Sequence, residues 1–150
     1  MSKYTVNGMV NTGDRNMTDT NRFKELYTDG MIAYQNEDFK GSIELLTRAA
    51  EIDPGSRLVF SSIGAAYLKA GELEKALQAI NHAIEIDAEY SKAYHLRGLI
   101  NETCGNDENA LHDFTRAIDL DPAYGAAYNS RAALHTKMGN DELAMEDMIE

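Results

Sequence analysis

The chain has 150 residues, 43% of them hydrophobic, and a formal net charge of -11 at pH 7. That apolar content is enough for a packed core, so it excludes a largely disordered protein. The apolar runs are far shorter than the roughly 20 residues of a membrane helix, and the acidity excludes a protein that wraps nucleic-acid phosphates with dense Lys and Arg.

The N-terminal segment, MSKYTVNGMVNTGDRNMTDTN, is mainly polar and shows no secretory signal or anchor. We predict that residues 1–21 form a flexible tail. Asp19, Thr20 or Asn21 is then expected to cap the first helix, because short polar side chains accept from its free N–H groups.

From residue 23 onward the sequence repeats at an offset of 34 residues. AIEIDAEYSKAYHLRGLI at 83–100 is followed by AIDLDPAYGAAYNSRAAL at 117–134. A period of about 20 to 50 residues is typical of stacked arrays. We divide this part of the chain into four repeats, of which the last is shortened: 23–56, 57–90, 91–124 and 125–150.

Each repeat is predicted to form two helices, called A and B in chain order. Helix A of the second repeat places Phe60, Ile63 and Tyr67 at helical spacing. Helix B, LEKALQAINHAIEID in that repeat, stops at an Asp followed by Pro or Ala. Strand patterns are missing after residue 22, so the sequence predicts an all-α fold. Glycines suited to a left-handed cap follow helix A in the last three repeats: Gly71, Gly105 and Gly139.

The period and the residue types together resemble the tetratricopeptide repeat family, over residues 23–150. The family's aromatic, Leu-Gly and Tyr pattern is matched in helix A by Phe60, Ile63-Gly64 and Tyr67. Its small, bulky and alanine positions of helix B are occupied by Ser42, Leu46 and Ala49, by Ala76, Ile80 and Ala83, and by Ala110, Phe114 and Ala117. Its closing proline corresponds to Pro54 and Pro122.

The resemblance implies a right-handed superhelical stack, or α-solenoid, of antiparallel helix pairs spanning residues 22–150. Small residues at one place in helix A are predicted to face small residues of helix B, which lets the two backbones approach closely. These are Gly30, Gly64, Gly98 and Ala132, opposite Ser42, Ala76, Ala110 and Ala144.

Two departures from the pattern occur at the ends of the array. The first repeat has Glu37 where the others have the cap glycine. The last repeat stops partway through helix B, so we expect either that the chain belongs to a longer protein or that another molecule covers its apolar edge. That edge contains Leu143, Met145, Met148 and Ile149.

The sequence shows no constellation of catalytic residues, and we expect no enzyme activity, no metal site and no cofactor. The four histidines lack partners at the spacing of a helical zinc site and are expected at the surface or in a groove: His82, His95, His112 and His135. Cys104 is the sole cysteine, which excludes an internal disulfide and favours the cytoplasm.

Comparison of the repeats predicts two structural ion pairs. Arg97 and Arg131 occupy the same place in helix A, and the same two repeats carry Asp113 and Asp147 in helix B. We predict that each Arg pairs with the Asp of its own repeat, or each Asp with the Arg of the following repeat. Pairs exposed to solvent would contribute about 0 to 1 kcal/mol.

In the family that the chain resembles, A helices line a concave groove, which implies a peptide-binding surface here. Its predicted lining is Tyr27, Met31, Tyr34, Ser61, Ala65, Leu68, Lys92, His95, Leu99, Asn129, Ala133 and Thr136. The alternative is that these residues pack against neighbouring helices or the N-terminal tail. Some family members hold chaperone C-terminal carboxylates, but of the five corresponding positions in this chain only Lys92 matches; the others are Tyr27, Met31, Ser62 and Leu96.

We therefore expect a non-catalytic interaction module or scaffold that binds a peptide or helix of a partner protein. Two alternatives remain open. One is a structural protein that self-associates through its C-terminal helical edge, and the other is the repeat portion of a larger enzyme or machine.

Overall fold

The computed structural model describes residues 12–149, and side chains over 18–148. The described part of the chain forms eight α-helices and no strand. They are α1 (Thr12–Gln35), α2 (Phe39–Ile52), α3 (Arg57–Lys69), α4 (Leu73–Ile86), α5 (Ser91–Thr103), α6 (Asp107–Leu120), α7 (Gly125–Lys137) and α8 (Asp141–Ile149).

The helices pack in sequential pairs, which confirms the predicted stack. Helices α1, α3, α5 and α7 are the A helices, and each packs against the B helix that follows it, from α2 to α8. Each of the first three B helices also packs against the next A helix. In addition, α1 contacts α3 and α3 contacts α5, so these A helices lie side by side in one layer.

The turns between helices repeat as well. Gly71, Gly105 and Gly139 have φ values of 82°, 86° and 82°, which confirms the predicted left-handed caps. At the junction from helix B to the next helix A, an aspartate accepts a hydrogen bond from the backbone N–H two residues later, a turn that short acidic side chains favour. The three donors are Gly55 at 3.2 Å from Asp53, Glu89 at 2.9 Å from Asp87 and Ala123 at 3.1 Å from Asp121.

The small residues of the A helices lie against the bulky residues of the B helices. A Cβ on Gly64 would come within 2.5 Å of Ile80, and one on Gly98 within 2.5 Å of Phe114. The predicted partner Ala76 contributes a more distant backbone oxygen, 3.3 Å from the Cβ of Gly64. The close approach is therefore set mainly by the bulky residue one turn beyond the small one.

The start of α1 differs from the prediction. The helix begins at Thr12, so the expected tail is wrong for residues 12–21, and Asp19, Thr20 and Asn21 lie inside a helix instead of capping it. Once packing against α2 fixes the later turns, each added residue extends an existing helix without a new nucleation cost. Residues 1–11 of the predicted tail lie outside the described part of the chain.

Candidate binding surface

The predicted groove residues lie at different depths in the A layer. Lys92, Asn129, Ala133 and Thr136 are exposed. Those of intermediate burial pack at the margins of the hydrophobic clusters: Tyr27, Met31, Ala65, Leu68 and Leu99. Tyr34 is also of intermediate burial. The A layer therefore presents a partly exposed apolar surface at its N-terminal end and an exposed polar one at its C-terminal end.

Ser61 and His95 are buried, which corrects the prediction that they line a groove. Their register explains the burial, because a residue at this place in one A helix faces the next A helix. The Tyr27 hydroxyl lies 3.4 Å from the Ser62 hydroxyl, and His95 Nε2 lies 2.9 Å from the Ser130 hydroxyl, both across 35 residues. Asn129 has the same register in the last repeat and is exposed.

His95 forms a polar contact inside the interface between the third and fourth repeats. Its Nδ1 lies 3.3 Å from the Tyr124 hydroxyl, and its ring lies 5.7 Å from the ring of Phe114. Burial, followed by the charge of Lys92, lowers the pKa of His95 below its ordinary value of 6.5. Burial likewise raises the pKa of Tyr124. Burial therefore favours the neutral form of the imidazole, which lies between two hydroxyl groups.

Both ion pairs form within single repeats, the first of the two arrangements that the sequence leaves open. Arg97 donates to both carboxylate oxygens of Asp113 at 2.9 to 3.2 Å. Arg131 does the same to Asp147 at 2.6 and 2.8 Å. The two aspartates are only 6% and 5% exposed, so the expectation of solvent-exposed pairs is wrong.

Each arginine of these pairs also reaches the preceding repeat. Arg97 donates to Asn81 at 3.0 Å, and Arg131 donates to Thr115 at 3.2 Å, from equivalent positions. Asn101 adds a 2.8 Å bond to Asp113. His135 occupies the position of Asn101 in the last repeat; it is buried, like His95, and its Nε2 lies 3.9 Å from Asp147. His95 and His135 are both buried, so the expectation that the histidines lie at the surface or in a groove is wrong for these two.

Several cations of the A helices are neutralised within the protein. Besides Arg97 and Arg131, Arg57 pairs with Asp87 and lies 4.5 Å over the ring of Tyr90. Lys137 lies 3.1 Å from Asp107 and 4.0 Å from Glu102. Lys69 and Lys92 form no ion pair with any residue of the described range.

One of these lysines borders an open depression of about 440 Å³ that the sequence analysis did not find. Its lining residues are Tyr34, Gln35, Glu37, Phe39 and Lys69, and we call it the Lys69 depression. The rings of Tyr34 and Phe39 meet edge to face, 5.5 Å apart. Comparison of equivalent positions in the repeats does not reveal this site, because Phe39 and Lys69 belong to different repeats.

The last helix exposes a second apolar surface. Leu143, Met145 and Met148 are 45%, 63% and 71% exposed. The same helix carries exposed acids at Asp141, Glu142 and Glu146. This edge therefore combines apolar side chains with negative charge.

Two further kinds of feature are missing from the described residues. No group of three or more His, Cys, Asp or Glu side chains is arranged to hold a metal ion there. None of the described helices has the length and apolarity needed to cross a membrane.

Comparison with known proteins decides the family. Two family models, both described as "Tetratricopeptide repeat", match residues 33–100 and 91–124. The chain belongs to the tetratricopeptide repeat family. The second match covers the same residues as the predicted third repeat. None of the curated proteins matches the chain by sequence.

Solved structures of tetratricopeptide repeat proteins have the same fold. A crystal structure of MamA is 21% identical, covers 92% of this chain and 91% of its own, and has a TM-score of 0.71. The Sgt2 domain from Aspergillus fumigatus is 24% identical over 80% of this chain and 81% of its own, with a TM-score of 0.74. The first domain of Spaghetti (RPAP3), solved with the HSP90 peptide SRMEEVD, is 21% identical over 79% of this chain and 94% of its own, with a TM-score of 0.73.

Proposed function

We propose that this tetratricopeptide repeat protein is a non-catalytic interaction module that binds a peptide or helix of a partner protein on the surface of its A helices. The observation that carries the proposal is the layer formed by α1, α3 and α5. These helices touch one another directly, and their free face holds partly exposed apolar side chains. Such a continuous apolar face is typical of a protein interaction site.

The composition of the face supports recognition by apolar anchors. Met31 and Tyr34 lie at its N-terminal end, and Leu68 and Leu99 follow along the layer. Methionine and aromatic side chains provide adaptable, high-area contacts to apolar groups. The exposed Lys92 and Asn129 supply polar contacts toward the other end.

The chaperone-tail clamp is not the mode that we propose. Of the five positions that the clamp uses, Ser62 and Leu96 are buried here, and Tyr27 and Met31 pack against the first hydrophobic cluster. Lys92 is the exposed cation of the set. A single exposed lysine contributes too little to hold the paired carboxylates of such a tail.

Photo-crosslinking from the two layers tests the proposal. A photoreactive amino acid replaces either Ala133, exposed on A helix α7, or Gln78, exposed on B helix α4. In extract of the source cells, we expect a defined partner segment, identified by mass spectrometry, to crosslink at position 133 and not at position 78. Ala133→Arg should weaken partner binding, because it places a long charged side chain at the polar end of the A layer, whereas Gln78→Arg should leave it intact. Equal capture at both positions would contradict the proposal.

The exposed apolar residues of α8 favour a second candidate function, self-association through the C-terminal edge. Burial of Leu143, Met145 and Met148 would contribute roughly 25 cal/mol per Å2 of covered apolar surface. The acids of the same helix repel an identical edge, so the edge would meet a different surface of the second copy. Light scattering should then show mass rising with protein concentration in the wild type and a constant mass in Met145→Ser/Met148→Ser.

We also propose a cytoplasmic location, which the exposed free thiol of Cys104 supports. Disulfides and exposed thiols follow the redox state of the compartment.

A further inference from the structure

Lys69 and Lys137 occupy the same position in helix A, two repeats apart, and have opposite surroundings. Lys137 lies 3.1 Å from Asp107 and 4.0 Å from Glu102, which neutralise its charge. The residues equivalent to Glu102 and Asp107, 68 positions earlier in the chain, are Tyr34 and Phe39. Lys69 therefore lines one depression with two aromatic side chains, at the place where its counterpart lies beside two carboxylates.

The intermediate copy of the site shows that a lysine is not required for packing there. The residues equivalent to Tyr34, Phe39 and Lys69 are Leu68, Leu73 and Thr103. The Thr103 hydroxyl donates a hydrogen bond to the backbone oxygen of Leu99 at 2.8 Å. The same three positions therefore hold different residues in the three copies of the site. In the first copy, two aromatic side chains accompany a lysine that has no ion-pair partner among the described residues.

The Lys69 depression has space and chemistry for a ligand. It is open, about 440 Å³ in volume, and its lining includes the edge-to-face pair of Tyr34 and Phe39. Glu37 also lines it, but its carboxylate lies beyond 4.0 Å from every cation in the described part of the chain. A ligand carboxylate is therefore favoured on the Lys69 side and repelled from the Glu37 side, which gives a bound segment one orientation.

We propose that the Lys69 depression binds an acidic segment of a partner protein, with a large apolar side chain against Tyr34 and Phe39 and an adjacent carboxylate on Lys69. The carboxylate neutralises Lys69 as Asp107 of the third repeat neutralises Lys137 of the fourth. Residues 1–11, MSKYTVNGMVN, contain no Asp or Glu, so this chain's own N-terminal segment does not supply that carboxylate. The inference rests on the proposed function and adds the chemical class of the partner.

NMR titration of the full chain with a short probe peptide tests the assignment. The probe is Gly-Ser-Leu-Glu-Ser-Gly with blocked termini, and the controls replace its Leu with Ala or its Glu with Gln. We expect the probe to shift the signals of Lys69, Tyr34 and Phe39 and both controls to bind more weakly. Lys69→Gln should weaken binding by about two- to fivefold, the range of an exposed ion pair. Lys24→Gln removes an exposed lysine of α1 that does not line the depression, and it should leave the affinity unchanged.

Two further variants separate charge from folding. Glu37→Gln removes the opposing carboxylate and should strengthen probe binding. Tyr34→Glu/Phe39→Asp recreates the third-repeat version, gives Lys69 its own acids and should abolish binding. Should that double variant fail to fold, the Lys69→Gln and Glu37→Gln titrations still decide the question.

The outcomes distinguish this inference from the proposed function. The assignment of an acidic segment would be overturned if the Leu-Glu and Leu-Gln probes bound equally well, or if the NMR signal of Lys69 did not shift. Crosslinking at position 133 would in that case still support the proposed function. Concentration-dependent shifts at Lys69 without any peptide would mean that a second copy of the chain fills the depression, which would overturn its assignment to a different protein.

Discussion

At the scale of single residues, Glu37 adopts a backbone conformation that the other repeats give to glycine. Its φ is 64°, against 82° to 86° at Gly71, Gly105 and Gly139. A side chain in this left-handed region brings Cβ close to the following carbonyl oxygen, at a cost of roughly 1 to 2 kcal/mol. The residue is exposed, so its carboxylate gains little in return.

Glu37→Gly is therefore expected to stabilise the protein by about 1 kcal/mol, because glycine adopts positive φ without that contact. Urea unfolding followed by circular dichroism measures the change. The matched variant is Gly105→Ala, where a Cβ meets nothing within 4 Å and strain is the main effect. It should lose a similar amount, and a loss of stability in Glu37→Gly would contradict the interpretation.

Gly98 illustrates a different use of glycine, the close approach of two helices. A Cβ at this position would lie 2.5 Å from Phe114, which is fully buried. Gly98→Ala should destabilise the protein by about 1 to 3 kcal/mol, the usual cost of overpacking, despite alanine's better helix propensity. Gly125→Ala, at the exposed start of α7, should have little effect.

The same substitution in a Phe114 variant tests whether contact with Phe114 causes the loss of stability. In Phe114→Leu the space beside Gly98 is larger, so adding Gly98→Ala should cost less than it does in the wild type. Equal costs in both backgrounds, measured by the same urea unfolding, would place the strain elsewhere.

At the scale of helices, the Arg97 and Asp113 pair ties α5 to α6. Loss of the arginine leaves a nearly buried carboxylate with Asn101 as its remaining donor among the described side chains. Arg97→Ile is therefore expected to cost about 3 kcal/mol, as for other broken buried pairs. Arg97→Ile/Asp113→Ala installs the residues that the second repeat has at Ile63 and Ala79 and should recover most of that loss.

Thermal and urea unfolding of the single and double variants measures this coupling. A double variant no more stable than Arg97→Ile would show that the unpaired carboxylate is not the source of the loss. The result matters for both paired repeats, because Arg131 and Asp147 have the same geometry.

His95 makes the contact between α5 and α7 sensitive to pH. Its pKa in the folded protein is lowered, first by burial and then by Lys92, below the 6.5 of an ordinary histidine. The unfolded state therefore binds more protons, so the contribution of His95 to stability is present above pH 6.5 and is lost as the pH falls below it. The free energy of unfolding should decline from pH 7 to pH 5 less steeply in His95→Gln than in the wild type.

The exposed His82 provides the control for this measurement. His82→Gln should leave the slope of stability against pH close to that of the wild type. A wild-type slope in His95→Gln would show that other groups set the pH dependence.

At the scale of the whole molecule, the stack is held together by contacts between neighbouring helices. Repeat proteins of this kind behave approximately as a chain of units coupled to their nearest neighbours. Leu46 and Leu134 are both fully buried, one in the first repeat and one in the last. They allow the same truncation at opposite ends of the array.

Hydrogen exchange should locate the effect of each truncation. Leu134→Ala creates a cavity at a cost of about 2 to 5 kcal/mol and is expected to speed exchange in α7 and α8 more than in α1 and α2. Leu46→Ala should show the reverse distribution. Uniform acceleration along the chain in both variants would mean that the array unfolds as one cooperative unit.

Much of the fold could be predicted from the sequence because its determinants are local and recur. The 34-residue offset located the helix pairs, and the left-handed glycines were visible as a column of identical residues. Arg97 and Asp113 were found together because two repeats carry both and the others carry neither. The start of α1 was missed because helix extension from a packed segment needs no capping signal in the sequence.

The sequence by itself determined the repeat, the helix pairs, the cap positions and the residues of the two ion pairs, since each recurs at the 34-residue offset. The pairing within single repeats and the burial of the two aspartates were decided by the tertiary structure. Only the tertiary structure decided which residues of the A layer are accessible. Ser61 and His95 are covered because the next A helix packs over them, whereas Asn129 has the same register and stays exposed. Lys69 is unneutralised because the preceding repeat places rings beside it, and that juxtaposition depends on how two units stack.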